Sequence, residues 1–587
     1  MLFPKLNEIP TSTQNVDVFL GYNHNLRIRE NEFYDMKNLT STYYPVLSPR
    51  TKRGTYLTAS NPQGMIAKDA LCYIDGQYFC MNEYRIDMGL NDEPKQLVSM
   101  GAYVIIMPDK KYINTLDLTD FGNVEAKFVT TNDVTFSLCK IDGSEYENTK
   151  PQPTAPEITD EMEKDVSKIP LWIDTSSTPH SLKQYSKTSK TWVTVPTTYI
   201  KISSPGIGAS FNQYDGVTIL GIKAEELQSL NANMVVWAKD DDSIVVIGLL
   251  DAVTMQTVDE GEVTIERKMP LMDFVVESEN RLWGCRYGVA SNGAVVNEIY
   301  ACKLGDFKNW NCFMGISTDS YVASCGSDGQ FTGAITHLGY PLFFKENCLH
   351  KVFGNYPANY QVQTTACRGV QKGCSDSLAI VNEVLYYKSR NAVCAYDGSL
   401  PTEMSSAFGD VSYSDAVACG HGNKYYISMK DISGEYNLFV YDASKRLWHK
   451  EDNTAVKTFC SCRNELYFIP KGSNDIKTMF GGGTVDTDSV PWMAESGVIG
   501  TSSPDRKYVS RLNIRMSLDI GTRVHFYAQY DSCGEWVLLC TMNGTSLRSF
   551  TVPIRPKRCD HFRLRIVGEG DAKIYSITKT IEQGSDI

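Results

Sequence analysis

Apolar and polar residues alternate along most of this chain in short runs of four to eight. Gly, Asn, Asp or Ser breaks each run. Alternation sorts side chains onto the two faces of a strand, so the pattern predicts β-structure nearly throughout. Helical spacing is scarce. Its candidates are Ala224 to Asn231 and Ile158 to Ser167, the second acidic and preceded by prolines.

A loose unit recurs within the alternation. Copies begin at Ala70, Leu97, Met272, Ile335, Leu378, Ala416 and Val456. Each reads as an apolar strand, a polar turn, an aromatic strand, a loop and a third strand. The third strand often closes on Tyr-Asp, as in Val393-Cys-Ala-Tyr-Asp and Leu438-Phe-Val-Tyr-Asp. The turn residues suit tight hairpins. A sheet of three or four strands cannot bury both faces alone, so repetition around an axis is expected. The predicted fold is all-β: a β-propeller of about seven blades. The strand expected near Asn15 to Leu20 is a candidate for the missing strand of the last blade.

Two stretches interrupt the repeat. Residues 120–270 open with an acidic segment, Gly143 to Ile169, holding Pro151, Pro153 and Pro156, followed by Pro170. It reads as a linker or exposed loop. Strand-like runs follow at Thr191-Trp-Val-Thr-Val, Val217 to Ile222, Met234 to Ala238 and Ser243 to Leu250, so a small inserted domain is expected. Beyond Gly481-Gly-Gly, alternating runs cover Tyr508 to Leu518, Arg523 to Tyr530, Trp536 to Met542, Arg548 to Ile554, Phe562 to Val567 and Lys573 to Lys579. They predict a C-terminal β-sandwich. The expected division is 1–119 for the N-terminal segment and first blades, 120–270 for the insertion, 271–490 for the remaining blades and 491–587 for the sandwich.

Length and composition sharpen this picture. The 587 residues are 42% hydrophobic and 21% charged, which excludes collagen, coiled coil and wholesale disorder. The net charge of −12 argues against nonspecific DNA binding by the whole chain. That charge is uneven. From Thr501 onward there are 13 Lys and Arg against 9 Asp and Glu, leaving 44 against 60 in the rest. An acidic body therefore carries a basic terminal domain. Arg555, Lys557, Arg558, Arg563 and Arg565 are expected to include an exposed basic face that meets a partner. Trp283 and Trp310 are expected to be buried in one blade.

No run of about 18 apolar residues suggests a membrane-spanning helix. The opening Met1-Leu-Phe-Pro-Lys-Leu lacks a signal-peptide core. The 17 cysteines are odd in number and scattered, so free thiols in a reducing cytosol are expected.

The search for chemistry returns little. There is no phosphate-binding Gly-x-x-x-x-Gly-Lys-[Ser/Thr] loop, no His-Glu-x-x-His and no EF-hand loop. Cys460 and Cys462 face one way on a strand, and Cys367 and Cys374 bracket a basic loop. Neither pair has zinc-ribbon spacing, so buried thiols are expected and no metal or cofactor is assigned. His421, in Cys419-Gly-His-Gly, is expected at a hairpin. Tyr530-Asp-Ser-Cys-Gly-Glu-Trp536 approaches the sialidase hairpin signature with its glycine displaced, and reads as a turn joining two strands. No carboxylate pair stands out for glycoside hydrolysis. The expectation is a non-enzyme with no catalytic residues. Asn38-Leu-Thr40 fits a glycosylation acceptor by chance.

Several strings resemble a known family. Asn25-Leu-Arg-Ile-Arg-Glu-Asn-Glu-Phe-Tyr-Asp-Met, followed by Tyr44-Pro-Val-Leu-Ser-Pro-Arg-Thr-Lys-Arg-Gly, is similar to the opening of tailed-bacteriophage nozzle or tail-stabilisation proteins. Arg281-Leu-Trp-Gly, then Ile299-Tyr-Ala-Cys-Lys-Leu-Gly-Asp-Phe-Lys-Asn-Trp310, resembles one of their blades. Val381 to Gly398 resembles the blade that follows. Pro504 to Leu512 and Leu547 to Arg565 are similar to sandwich ends of prophage virion proteins.

The resemblance implies structural work in a virion tail, after assembly in the host bacterial cytoplasm. Copies of the chain would form a ring, commonly sixfold, that meets portal, adaptor and tail proteins. The genome would be retained behind it and then pass through its lumen. An acidic lumen suits passage, because like charge repels phosphates. The basic terminal domain would dock on an acidic neighbour. The alternative is a peripheral receptor- or carbohydrate-binding tail protein, for which eight Trp and 33 Tyr supply stacking surface.

Overall fold

The computed structural model describes residues 11–130, 133–248, 256–259, 262–290, 293–501, 506–555 and 557–583. The chain is almost entirely β-structure. Seven antiparallel sheets, six of four strands and the last of five, follow one another as blades I to VII. Their first strands are Pro62–Ala67, Gln96–Met100, Phe274–Ser278, Gly333–His337, Ala379–Val381, Tyr413–His421 and Val456–Cys462. These first strands touch in sequence around a ring, with blade IV meeting blade V through the turn Ser375–Ser377, and blade VII returns to blade I. The result is a closed seven-bladed β-propeller, with first strands innermost.

Closure differs from the expectation for Asn15 to Leu20. The fourth strand of blade VII is Gly54–Thr58, antiparallel to Asp475–Thr478. Thr11–Val16 pairs instead with Ala572–Gln583 at the far end of the chain. Topology gives the reason. Gly54–Thr58 directly precedes blade I, so ring closure already places it beside blade VII, and pairing it needs no long loop. The segment Thr51-Lys-Arg-Gly leading into it is clamped in place. Arg53 reaches Glu451 at 3.0 Å and Asp452 at 2.9 Å, and Arg50 reaches Asp452 at 3.4 Å. All four side chains are largely buried.

The insertion leaves blade II after its outer strand, Phe121–Asn123. Ala126–Val129 pairs with Thr264–Arg267 as the stem of the way out and back. Between them lie further strands around their own core, which includes Phe136, Ile173, Ile202, Phe211, Val217 and Ile244. Ser243–Ile247 is one of these strands; Leu249 and Leu250, the end of that expected run, lie outside the described residues. The expected helices are short. Asp160–Lys164 is a single α-turn, and Glu225–Leu230 is a 3-10 helix. The acidic stretch is not all loop, since Thr149–Gln152 pairs parallel with Leu171–Asp174.

The terminal sandwich merges the expected short strands into long bent ones. Lys507–Tyr530 and Val537–Val552 each span two of them. Phe562–Glu569 and Ala572–Gln583 run end to end along one edge of Lys507–Tyr530, and Val537–Val552 runs along the other. The ladder is interrupted between Leu518 and Arg523, where the sheet folds over. Thr11–Val16 extends one half; Pro491–Ser496 and Phe33–Lys37 extend the other. Side chains from both halves, among them Leu512, Ile514, Phe526, Leu564 and Ile566, share one core.

The N-terminal segment ties the sandwich to the propeller. The Tyr22 amide donates to the Trp448 carbonyl of blade VI at 2.7 Å, and the Leu47 amide donates to Ile574 at 3.0 Å. Tyr22 packs on Phe408 and Phe439. Gly21 has φ +82, and a Cβ there would sit 2.3 Å from the Trp448 carbonyl oxygen. Only glycine allows this approach.

Candidate functional site

Two regions of the surface concentrate chemistry. The first is the sandwich. The five basic residues singled out in the sequence do not form one patch of free charge. Arg555, Lys557 and Arg558 are exposed on the connection between Val537–Val552 and Phe562–Glu569. Alternation along the Phe562–Glu569 strand puts Arg563 and Arg565 on its outer face, between buried Phe562, Leu564 and Ile566. There each guanidinium meets Glu495 of the neighbouring strand at 2.5 Å. Arg565 lies 4.0 Å from the centre of the Trp536 ring, and Arg563 lies 4.6 Å from that of Tyr34. These two charges are thus committed to holding the sheet.

Alternation along Lys507–Tyr530 supplies other exposed charges. Arg511, Arg515 and Arg523 face outward while Leu512, Ile514 and Val524 are buried. Arg548 on the adjacent strand is also exposed, with its guanidinium over Phe550. The basic face is therefore wider than the sequence cluster. The residues missed were legible in principle, because arginine at the polar positions of a strand marks its solvent side.

The second region is the axial mouth of the propeller at which the inner strands begin. The inner strand of blade VI carries a bulge between Ser414 and Val417, with Asp415 at φ +48. Such a conformation is uncommon for a residue with a Cβ. It presents the Asp415 carboxylate to Lys471 at 2.5 Å and to the Tyr436 hydroxyl; Lys471 also donates to Tyr436 at 3.0 Å. Burial raises the Asp415 carboxyl, but Lys471 and Tyr436 outweigh it and hold the group below the usual range. Asp376, on the turn leading into blade V, is pushed up by burial, with only a weaker downward pull from Ser375 and Lys471. Its side chain keeps solvent contact because the surrounding protein is the wall of a mouth. Two carboxyls with opposed shifts thus share one opening. Separation in sequence and an irregular bulge hid this grouping from the alternation pattern.

The Arg281-Leu-Trp-Gly and Gly305 to Trp310 strings are used for packing. Arg281 is buried and donates to the carbonyls of Cys302, Asp319 and Ser317 at 2.6 to 2.9 Å. Trp283 and Trp310 are both buried, but on opposite sides of blade III. Trp283 packs towards Phe343 of blade IV and Trp310 towards Val98 and Ile105 of blade II. Asn309 bridges to the insertion. It donates to Asp215 at 2.9 Å and accepts from the Gly216 amide at 2.8 Å, while Arg267 of the stem pairs with Asp215.

The remaining sequence candidates are structural. Cys460 and Cys462 are buried on one strand and Cys374 is buried near blade V; all 17 cysteines are free. His421 ends the inner strand of blade VI at a hairpin, its ring bonded to Ser461 at 2.9 Å. Tyr530 to Trp536 joins the two longest strands. Among the described residues, no group of three or more His, Cys, Asp and Glu is placed to hold a metal ion, and no helix is long and apolar enough to cross a membrane.

No protein-family model matches the chain, and no curated protein matches it. Among solved structures, an exo-β-1,3-galactanase from Phanerochaete chrysosporium with galactose aligns at 8% identity. It covers 52% of this chain and 94% of that one, with a TM-score of 0.20. U3-55K aligns at 8% identity over 51% and 88%, with a TM-score of 0.23. A Trypanosoma rangeli sialidase in complex with sialic acid aligns at 8% identity over 97% and 95%, with a TM-score of 0.19. At such scores these alignments carry no functional argument.

Proposed function

We propose that this chain is a non-enzymatic component of a bacteriophage tail, acting as a ring through which the genome is retained and then ejected. What supports the reading most is the separation of charge. A basic outer face, with Arg511, Arg515, Arg548, Arg555 and Lys557 exposed, is carried on a rigid sandwich. The rest of the chain is strongly acidic. Opposite charge on two parts of one molecule favours contact between copies and between neighbours. The excess of acid elsewhere lets a lumen repel phosphates. The blade strings similar to nozzle proteins serve the scaffold, in keeping with a structural role. Cryo-EM of virions carrying the protein is expected to show a closed ring of copies on the tail axis. Density for it at peripheral fibres alone would overturn the reading.

The axial mouth favours a second reading, a tail protein that binds a polar receptor such as a glycan. The observation behind it is the cluster of Asp376, Asp415, Tyr436 and Lys471. Glycan-array binding by the full chain, lost in D376N/D415N, would support it. Equal signals from the two proteins, or none, would discard it.

A further inference from the structure

One pair of opposite charges is sealed from water where blade I leads into blade II. Lys95, just ahead of the Gln96–Met100 strand, places its Nζ 2.5 Å from Asp109 Oδ2. Asp109 sits on the turn between Tyr103–Met107 and Lys111–Asn114. The Lys95 side chain is 0% exposed and that of Asp109 is 2% exposed. Among the described residues, every other lysine–carboxylate pair leaves at least one partner open to water. Lys183 and Asp174, at 2.6 Å, are 23% and 10% exposed; Lys579 and Glu30, at 2.5 Å, are 5% and 37% exposed.

An ammonium carries three donors. Other buried lysines of this chain find more acceptors. Lys345 donates to Asn297 Oδ1 and to the Ser327 carbonyl. Lys388 donates to Gln371 Oε1 and to the Ser389 and Arg390 carbonyls. Lys95 has one hydrogen-bond acceptor among the described residues, Asp109 Oδ2; the next carboxylate oxygen, Glu93 Oε1, lies 4.0 Å away. The other oxygen of Asp109 accepts from the Asn91 amide at 2.7 Å. A charged Lys95 thus buries two N–H groups beyond hydrogen-bond reach of an acceptor, which is costly. An amide nitrogen in the same place carries one N–H and no charge.

We propose that Lys95 and Asp109 condense into an intramolecular isopeptide bond. The inference stands apart from the ring reading and survives its failure. The Glu93 carboxylate takes a proton from Nζ, and the freed amine attacks Cγ of Asp109. The Nζ–Cγ bond forms and the Cγ–Oδ2 bond breaks. Oδ2 leaves as water with the two protons that Nζ gives up, one of them returned through Glu93. Nothing is oxidised or reduced, and no co-reactant is needed. In water the separate ions are favoured because both are hydrated. Burial strips that hydration, and the amide has no charge to desolvate. Glu93 is 44% exposed, so the proton carrier stays on the open side of the pair. The bond fastens the connection between blades I and II to the turn that also holds the insertion. Lys110, the next residue, donates to Glu125 at 2.7 Å and to the Met269 carbonyl at 3.0 Å.

The test is mass spectrometry of the denatured full chain. The intact mass is expected to fall short of the sequence mass by one water. A tryptic digest is expected to hold a branched peptide that joins Lys95 to Asp109 and is uncut after Lys95. K95R and D109A are expected to restore the full mass. E93Q leaves the pair in place, and after a pulse of synthesis it is expected to accumulate the branched peptide about a hundredfold more slowly. Matched circular dichroism would show the variants folded. Lys183 and Asp174, equally close but open to water, are expected to stay unlinked. A full sequence mass in folded wild-type protein would overturn the bond, as would loss of one water without the branched peptide. Equal rates in E93Q and wild type would overturn the part given to Glu93. A link between Lys183 and Asp174 would overturn burial as the cause.

Discussion

Nearly every propeller strand pairs with a strand next to it in the chain; only Gly54–Thr58 returns from a distance. The sandwich is assembled the other way. Thr11–Val16 pairs with Ala572–Gln583, and Phe33–Lys37 pairs with Pro491–Ser496. Local pairing costs little loop entropy, so each blade can form early and be read from its own hairpins. The sandwich is complete only when both ends of the chain have met. The difference teaches where this molecule is vulnerable: at the closing clamp of the ring and along the segment that staples the sandwich to it.

The clamp should give the largest effect. Arg53→Ala leaves Glu451 and Asp452 largely buried without their closest cation, and losing one partner of a buried pair typically costs about 3–5 kcal/mol. Urea unfolding is expected to show this loss together with earlier proteolysis between Arg50 and Thr58. In the sandwich, Trp492→Ala empties a fully buried site and should cost about 3–5 kcal/mol. Hydrogen exchange would localise that loss to the sandwich strands, with the blades still protected. Exchange spread evenly over both domains would erase the contrast between them.

The staple comes next. Gly21→Ala meets both the positive φ and the Trp448 carbonyl, so a penalty of about 1–3 kcal/mol is expected, with looser docking of the sandwich in limited proteolysis. Acid should act at the same place. His449 lies under Gly21, and burial lowers its pKa from 6.5 to about 3; His350 in blade IV is lowered to about 4. Both values are depressed, so the unfolded chain takes up protons first. The contribution of each ring is complete above pH 6.5 and is lost as pH falls towards 4 and 3. Thermal melts from pH 7.5 to 4.5 should show that decline, and His449→Gln should flatten part of it.

The smallest effect concerns thiols. Cys533 is exposed, whereas burial pushes Cys72 and Cys302 up to about 12 and Cys139 and Cys325 up to about 11. A thiol reagent at pH 7.5 should label Cys533 first, with no loss of structure.

Legibility followed the same division. Seven recurring units in the sequence are seven blades in the structure, because each unit carries its own turns and its own alternation. The outward arginines of the sandwich could have been located from the polar positions of Lys507–Tyr530. The mouth could not, because Asp376, Asp415, Tyr436 and Lys471 sit on four separate turns and strands that only ring closure brings together. Trp283 and Trp310 show the limit within one blade. Their burial follows from their apolar surface, but which neighbouring blade each one faces depends on the curvature of the ring.

The sequence alone therefore determined the all-β class, the repeat and the uneven charge, since these rest on residue type and local spacing. The tertiary structure decided which strand closes the ring and how both ends of the chain build one sandwich. Those are choices among pairings that are equally compatible with alternation. Only the competition for partners across the whole chain selects between them.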